Sequence, residues 1–349
     1  MDFVAGSFCE PRTPDGVIED RSPADLSLVL GRHPWALAQV ELAVSAARDA
    51  QPALAAIPLS DRAQLVRRIG AALKDREEEL ARAIALDVGK PLWEARTEAQ
   101  ACAAKAAITA DEGVKLVAAF AAPGQDGAEC RFRPLGVAAV LGPFNFPVHL
   151  PNGHILPALL CGNAVVFKPS EIAPHAAEVY ARCLERAGLP RGAFNLVQGG
   201  AATGGALCAH AGVDAVLFTG SWAVGQAIRQ ANQGQTKLLA LEMGGKNAAL
   251  VLPDADLDKA AYDVLFSAFV SAGQRCTAAS RAIVVGDARR FAARLAALAA
   301  QLSIGHPLDD GVFMGPLASP AALEKFERGV RGAGAEAILE PRRLEPRGL

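Results

Sequence analysis

The sequence predicts an α/β protein with a doubly wound, Rossmann-type parallel sheet and a second domain. Three observations carry this. Short apolar runs alternate with helical stretches from about residue 137 onward. Several of those runs are followed closely by Gly, Pro, Ser or Thr, the turn and polar residues found at the carboxyl ends of strands. At 349 residues, the chain is also longer than one ordinary core requires.

In chain order, residues 38–120 read as mainly helical. Ser60 is placed as a cap, followed by apolar residues at helical spacing through Leu65, Val66, Ile69, Leu73, Leu80 and Ile84. Pro123-Gly124-Gln125-Asp126-Gly127 breaks that pattern, and Glu129 to Arg133 alternates like a strand. The strands expected next are Val137–Leu141, Ala164–Phe167, Asn195–Val197, Ala215–Phe218, Leu238–Leu241 and Ala248–Val251. Helices Ala176–Ala187 and Val224–Gln230 fall between them, and an Ala-rich helix is expected around 287–300. Such near-continuous apolar strands suit one parallel sheet covered on both faces.

Composition narrows the function classes. With 35 basic and 37 acidic residues, the formal net charge is −2, so no global field draws nucleic acid or an anionic membrane; a small molecule is the expected partner. No apolar run is long enough to span a bilayer, and the N-terminus shows no secretory signal, so a cytoplasmic location is expected. The seven cysteines, Cys9, Cys102, Cys130, Cys161, Cys183, Cys208 and Cys276, form no Cys-x-x-Cys pair. This argues against a disulfide framework and a zinc cluster, and no metal is expected.

Three strand ends carry candidate binding residues. In Phe218-Thr219-Gly220-Ser221-Trp222-Ala223-Val224-Gly225, a strand gives way to a helix whose first amides face outward, a candidate pyrophosphate site. Gly-x-x-x-x-Gly alone is more often an ordinary strand–helix turn. In Lys168-Pro169-Ser170-Glu171, a cation and a carboxylate three residues apart suit ribose hydroxyls; the plainer reading is a solvated Lys and a Glu in a first helical turn. In Gly142-Pro143-Phe144-Asn145-Phe146-Pro147, Asn145 is either a turn former or a donor to an oxyanion. Downstream, Cys276 in Ser271-Ala272-Gly273-Gln274-Arg275-Cys276-Thr277 follows Glu242 in Leu241-Glu242-Met243-Gly244-Gly245, a thiol nucleophile with a carboxylate base.

These five motifs, in this order, resemble those of NAD(P)-dependent aldehyde dehydrogenases over nearly the whole chain, as far as Met314-Gly315-Pro316-Leu317. Residues 142–155 and 273–277 are most similar to the branch of that family that oxidises N-succinylglutamate 5-semialdehyde in arginine catabolism. The resemblance implies Cys276 as nucleophile, Glu242 as general base and Asn145 as oxyanion donor. It implies Gly220, Ser221, Trp222, Ala223, Val224 and Gly225, with Lys168 and Glu171, as the contacts to NAD. A free 2′-hydroxyl beside Glu171 favours NAD over NADP. It also implies an NAD-binding domain over 1–241 with N-terminal helices, a catalytic domain over 242–349, an aldehyde as the small-molecule substrate and a homo-oligomeric full-length parent.

Two departures qualify the resemblance. Family members continue well beyond Leu349, and the Glu they carry in a Phe-Gly-Pro context has no counterpart after Pro316. The catalytic domain is therefore expected to be incomplete, and the chain as it stands weakly active or inactive. His149 and His154, five apart among prolines, suit structural roles rather than metal ligation. Arg275 and Arg281 could meet the carboxylates of a dianionic substrate, although surface arginines commonly just meet solvent. Other aldehyde specificities, a thiol hydrolase or acyltransferase without redox chemistry, and a non-catalytic NAD-binding remnant remain as alternatives.

Overall fold

The computed structural model describes residues 1–121, 123–124, 127–332, 334–341 and 343–344. The expected break at 123–127 includes Gln125 and Asp126, which lie outside the described residues, as do the last five residues of the chain.

The chain opens with β1 (Asp2–Val4), β2 (Ser7–Cys9), β3 (Gly16–Ser22) and β4 (Asp25–Trp35), none of which has a strong sequence signature. Helices α1 (Ala38–Ala56), α2 (Leu59–Asp75), α3 (Glu77–Val88) and α4 (Leu92–Ile108) follow, then a π-helical turn (Thr109–Gly113) and α5 (Val114–Leu116). The expected cap at Ser60 is displaced. Pro58 occupies the cap position and Ser60 lies inside α2, while Arg76 separates α2 from α3, so Leu73 and Leu80 sit on different helices. Next come β5 (Phe120–Ala121) and β6 (Glu129–Cys130), a short antiparallel pair; the strand expected over 129–133 stops at Cys130.

The parallel strands are β7 (Val137–Leu141), β8 (Ala164–Lys168), β9 (Phe194–Leu196), β10 (Ala215–Gly220) and β11 (Leu238–Met243). They alternate with α6 (His149–Leu160), α7 (Pro174–Arg186), α8 (Ala201–Ala209) and α9 (Trp222–Ala231). The order across the sheet is β11-β10-β7-β8-β9-β1-β2, with β1 and β2 added antiparallel at one edge. Successive residues of β7 point to opposite faces and enter different cores. Ala138 and Val140 join the cluster built with α2, α3, α4, α6 and α7, whereas Val137, Ala139 and Leu141 join the one built with α1 and α8. This two-sided burial is why the strands read as continuous apolar runs.

One expectation is corrected. The run at 248–251 does not extend this sheet: β12 (Asn247–Val251) pairs in parallel with β13 (Ala279–Val284) as a separate two-stranded sheet. Helices α10 (Leu257–Phe269) and α11 (Ala288–Ala299) pack with it in a third core around Val251, Ala261, Val264 and Phe291, and α12 (Pro320–Arg331) follows. Periodicity marks a buried strand but not its neighbour, because pairing is decided by contacts distant in sequence. Among the described residues, no helix is long and apolar enough to cross a membrane.

The larger core holds a polar link between helices. The fully buried Tyr180 hydroxyl on α7 donates to Asn152 Oδ1 on α6 at 2.9 Å, and Asn152 Nδ2 donates to the Cys102 carbonyl on α4 at 3.1 Å. Tyr180→Phe leaves Asn152 Oδ1 without its donor. It is expected to destabilise the fold by about 1–3 kcal/mol, read as a lowered urea midpoint with unchanged slope.

Candidate active site

All the motifs of interest except that of Cys276 lie at or just past the carboxyl end of a strand of the parallel sheet. Asn145 lies just after β7, Glu171 after β8, Ser221 after β10, and Glu242 is the penultimate residue of β11. The chain winds outward from β7 in both directions, to β8 on one side and β10 on the other, so the crevice between these strand ends is where an open α/β sheet binds ligand.

The nucleophile loop leaves α10 by an unusual path. Ser271 (φ 57°), Ala272 (φ 53°) and Gly273 (φ 70°) are consecutive left-handed residues, and two of them are not glycine. Strain of this kind costs on the order of 1–3 kcal/mol per non-glycine residue, so something must hold it. The holder is Glu94 on α4, fully buried, whose carboxylate accepts from the Ser271 amide at 3.0 Å and from the Ser271 hydroxyl. The same carboxylate takes Arg275 Nη2 at 2.7 Å, and Arg275 Nε donates to Ser271 Oγ at 2.8 Å.

One helical turn on, the buried Glu98 ties down the segment that follows Asn145. Its Oε1 accepts from the Val148 and His149 amides at 3.2 and 3.1 Å, placing a negative charge at the start of α6. Its Oε2 is 2.6 Å from Lys90 Nζ. Lys90 also sits 3.5 Å from the centroid of the Phe146 ring, and the Arg275 guanidinium lies 5.0 Å from it. Two carboxylates and two cations thus bind the Asn145 and Cys276 loops to one helix. The loops also meet directly, because Asn145 Nδ2 donates to the Gln274 carbonyl at 2.6 Å. That bond orients the amide and uses one of its two N–H groups, leaving the other for a ligand.

Cys276 is exposed, and its carbonyl accepts from Asn247 Nδ2 at 2.7 Å, linking it to the segment just after Glu242. Glu242 pairs in register with Thr219 of β10, and His154 Nε2 of α6 is 3.4 Å from Thr219 Oγ1. Burial lowers the His154 pKa, and the Glu242 charge acts in the opposite direction. A Cβ built on Gly244 would meet nothing within 4 Å, so there is open space beside Glu242.

The strand ends toward β8 and β10 have the features of a nucleotide cradle. Lys168 is 6% exposed, donates to the Gly199 carbonyl at 2.7 Å and lies 3.5 Å from Glu171 Oε2; burial lowers its pKa. Beside Gly199, the hydroxyl of Thr203 is buried with no hydrogen-bond partner. Ser221 caps α9, its Oγ accepting from the Val224 amide, with Trp222 and Ala223 exposed in the first turn. A buried ammonium, an adjacent carboxylate, an unpartnered hydroxyl and a helix start fit a nucleotide with ribose and phosphate groups. Gly220 and Gly225 also have packing reasons, since a Cβ would stand 2.4 Å from the Phe218 ring or 2.5 Å from Met243 Sδ.

A sequence profile of the aldehyde dehydrogenase family matches residues 10–340. The chain belongs to that family. It is 46% identical over 334 residues to the N-succinylglutamate 5-semialdehyde dehydrogenase of Chromobacterium violaceum, an alignment covering 93% of this chain and 68% of that protein. A mutant of aldehyde dehydrogenase C from Pseudomonas syringae, complexed with NAD+ and octanal, matches with a TM-score of 0.92 at 30% identity over 99% of this chain and 72% of the other. An NADP dependent enzyme of E. coli matches with a TM-score of 0.91 at 33% identity, over 97% and 72%.

As an aldehyde dehydrogenase, the chain has supporting residues that sequence reasoning missed. Glu94 and Glu98, spaced i, i+4 on an Ala-rich helix, belong to none of the sequence motifs, yet they line its buried stripe with Ala95, Ala99 and Cys102. Lys90 and Asn247 also carry no signal by themselves. Arg275 is corrected: its guanidinium is committed to Glu94 and Ser271, while Arg281 donates to the Lys246 carbonyl at 3.0 Å.

Two outcomes follow from this geometry. Limited iodoacetamide treatment at mild pH, mapped by peptide mass, is expected to label Cys276 ahead of Cys183 and Cys208, whose thiols burial pushes up to about 11. Glu94→Ala removes one carboxylate from a buried, charge-balanced set and leaves Arg275 and Lys90 short of a partner. A loss of about 3–5 kcal/mol in denaturant stability is expected, together with slower alkylation of a displaced Cys276.

Proposed function

We propose that the chain is an NAD-dependent dehydrogenase of N-succinyl-L-glutamate 5-semialdehyde, forming N-succinyl-L-glutamate. The observation that supports the chemistry is the tie between Asn145 and the Gln274 carbonyl, which holds the amide against the loop that carries the exposed Cys276. The substrate is proposed on the likeness to the Chromobacterium violaceum protein of that name. In this reading, residues 1–241 form the cofactor half and 242–349 the catalytic half, acting in the cytoplasm, with a homo-oligomeric parent.

Cys276 Sγ, as thiolate, forms a bond to the aldehyde carbon, and the carbonyl electrons move to oxygen. The exposed position of Cys276 lets the loop present its sulfur to the substrate. The resulting oxyanion takes the second Nδ2–H of Asn145 and the Cys276 amide as donors. When bound, the oxidised nicotinamide supplies the acceptor for the hydrogen and electron pair that leave the substrate carbon. The acyl group then remains on Cys276 as a thioester. Glu242 takes a proton from a water as that water attacks, the C–S bond breaks, and the thiolate and a carboxylic acid are released.

Lys168 and Glu171 would hold the adenosine ribose, and the start of α9 from Ser221 to Gly225, which takes in Trp222, Ala223 and Val224, would face the pyrophosphate. Glu171 favours NAD in this reading, because a 2′-phosphate would bring like charge against its carboxylate. Lys168 offers little compensation while it is held by the Gly199 carbonyl.

The test is aldehyde-dependent NADH formation with N-succinylglutamate 5-semialdehyde compared with short aliphatic aldehydes. Whatever NADH the chain forms, slow as it is expected to be, is expected to come preferentially from the former, to be abolished by Cys276→Ala and to be reduced about 100-fold or more by Asn145→Ala. Equal or better turnover of the aliphatic aldehydes would overturn the substrate assignment, and NAD-independent thioester hydrolysis would overturn the redox reading.

A further inference from the structure

Lys105 lies near the end of α4, half-buried, with its side chain laid across the backbone of α6 at Gly153. A Cβ built on Gly153 would stand 3.1 Å from the ammonium nitrogen and 3.4 Å from Cδ, so the absence of a side chain at 153 gives Lys105 its place. Gly153 directly precedes His154, whose ring reaches Thr219, the residue in register with Glu242. It follows His149 by one helical turn, and Asn145 lies just before that helix. The ammonium therefore lies against α6, the helix that follows Asn145 and carries His149 and His154.

Glu98 acts on His149 and Glu242 on His154, yet neither carboxylate pairs with the Lys105 ammonium. The Lys105 charge opposes protonation of both His149 and His154. His149 Nδ1 is buried with no hydrogen-bond partner. Among the described residues, no hydrogen bond or ion pair engages the Lys105 ammonium. The neighbouring cations are spoken for, Lys90 by Glu98 and Arg275 by Glu94. A partly desolvated cation without an anion beside a binding cleft is completed by an anionic ligand.

We propose that Lys105, seated over Gly153, is the specificity residue that binds a carboxylate on the tail of the aldehyde substrate. This rests on the substrate class proposed above and assigns the recognition of its negative charge to α4 rather than to the arginines of the nucleophile loop. A long flexible ammonium suits a carboxylate carried several atoms from the reacting carbon.

The test is calorimetric binding of N-succinyl-L-glutamate and of glutarate to the full chain and its Lys105→Met variant, with NAD affinity and melting temperature as controls. Loss of the charge-assisted contact is expected to weaken carboxylate binding about 10- to 100-fold, with NAD affinity and melting temperature unchanged. Unchanged carboxylate binding in the variant would overturn the proposal, as would no carboxylate binding by the parent chain, or a parallel fall in NAD affinity and melting temperature. If the parent chain binds glutarate through Lys105 but not N-succinyl-L-glutamate, the substrate assignment falls while the role of Lys105 stands.

Discussion

The buried carboxylates of α4 are the constraint on which the site depends. A charge removed from water is costly unless it is paired and hydrogen-bonded, and Glu94 and Glu98 are fully satisfied only when Lys90, Arg275, the Ser271 amide and the amides opening α6 are all in place. That requirement works in reverse as positioning. The left-handed turn at Ser271 and Ala272 is unfavourable alone, but the alternative leaves a buried carboxylate unpaired, and the second cost is the larger.

The arrangement joins parts with separate origins. Asn145 comes from the central strand of the parallel sheet, Glu242 from its β11 edge, and Cys276 from the loop between α10 and the two-stranded β12–β13 sheet. The link through Asn145 and Gln274, and the one through Asn247 and the Cys276 carbonyl, make the nucleophile loop answer to both sheets. The proposed reaction, which needs attack, oxyanion stabilisation and water activation in turn, would be served by groups held on different supports.

Much of the fold was legible because burial leaves a periodic trace. Strands β7 to β9 are buried throughout and β10 in part, while β11 at the sheet edge is half-exposed, and the apolar runs of all five marked them within a residue or two. The N-terminal strands were not legible. β1 and β2 are three residues each, and β3 carries Glu19, Asp20 and Arg21, so no apolar pattern announces them. The run at 248–251 was recognised as a strand and assigned to the wrong sheet, since its partner β13 lies beyond α10 and alternates exposed polar and small residues.

By itself, the sequence determined the residue types of the chemistry and their order: an amide after the first parallel strand, a cation and carboxylate after the next, a glycine-bounded helix start, then the carboxylate and the thiol. These are local, because a strand end and the turn after it are specified by adjacent residues. The tertiary structure alone decided how those residues are held. Glu94 and Glu98 on an alanine-rich helix, and Lys90 just before it, look like solvated charges, and only the packing of that segment under the Asn145 and Cys276 loops removes them from water. Arg275 likewise changes meaning from a substrate-facing cation to an internal brace. Whether a charge faces solvent, a partner or a ligand depends on what long-range packing places beside it, and one-dimensional spacing does not encode that neighbour.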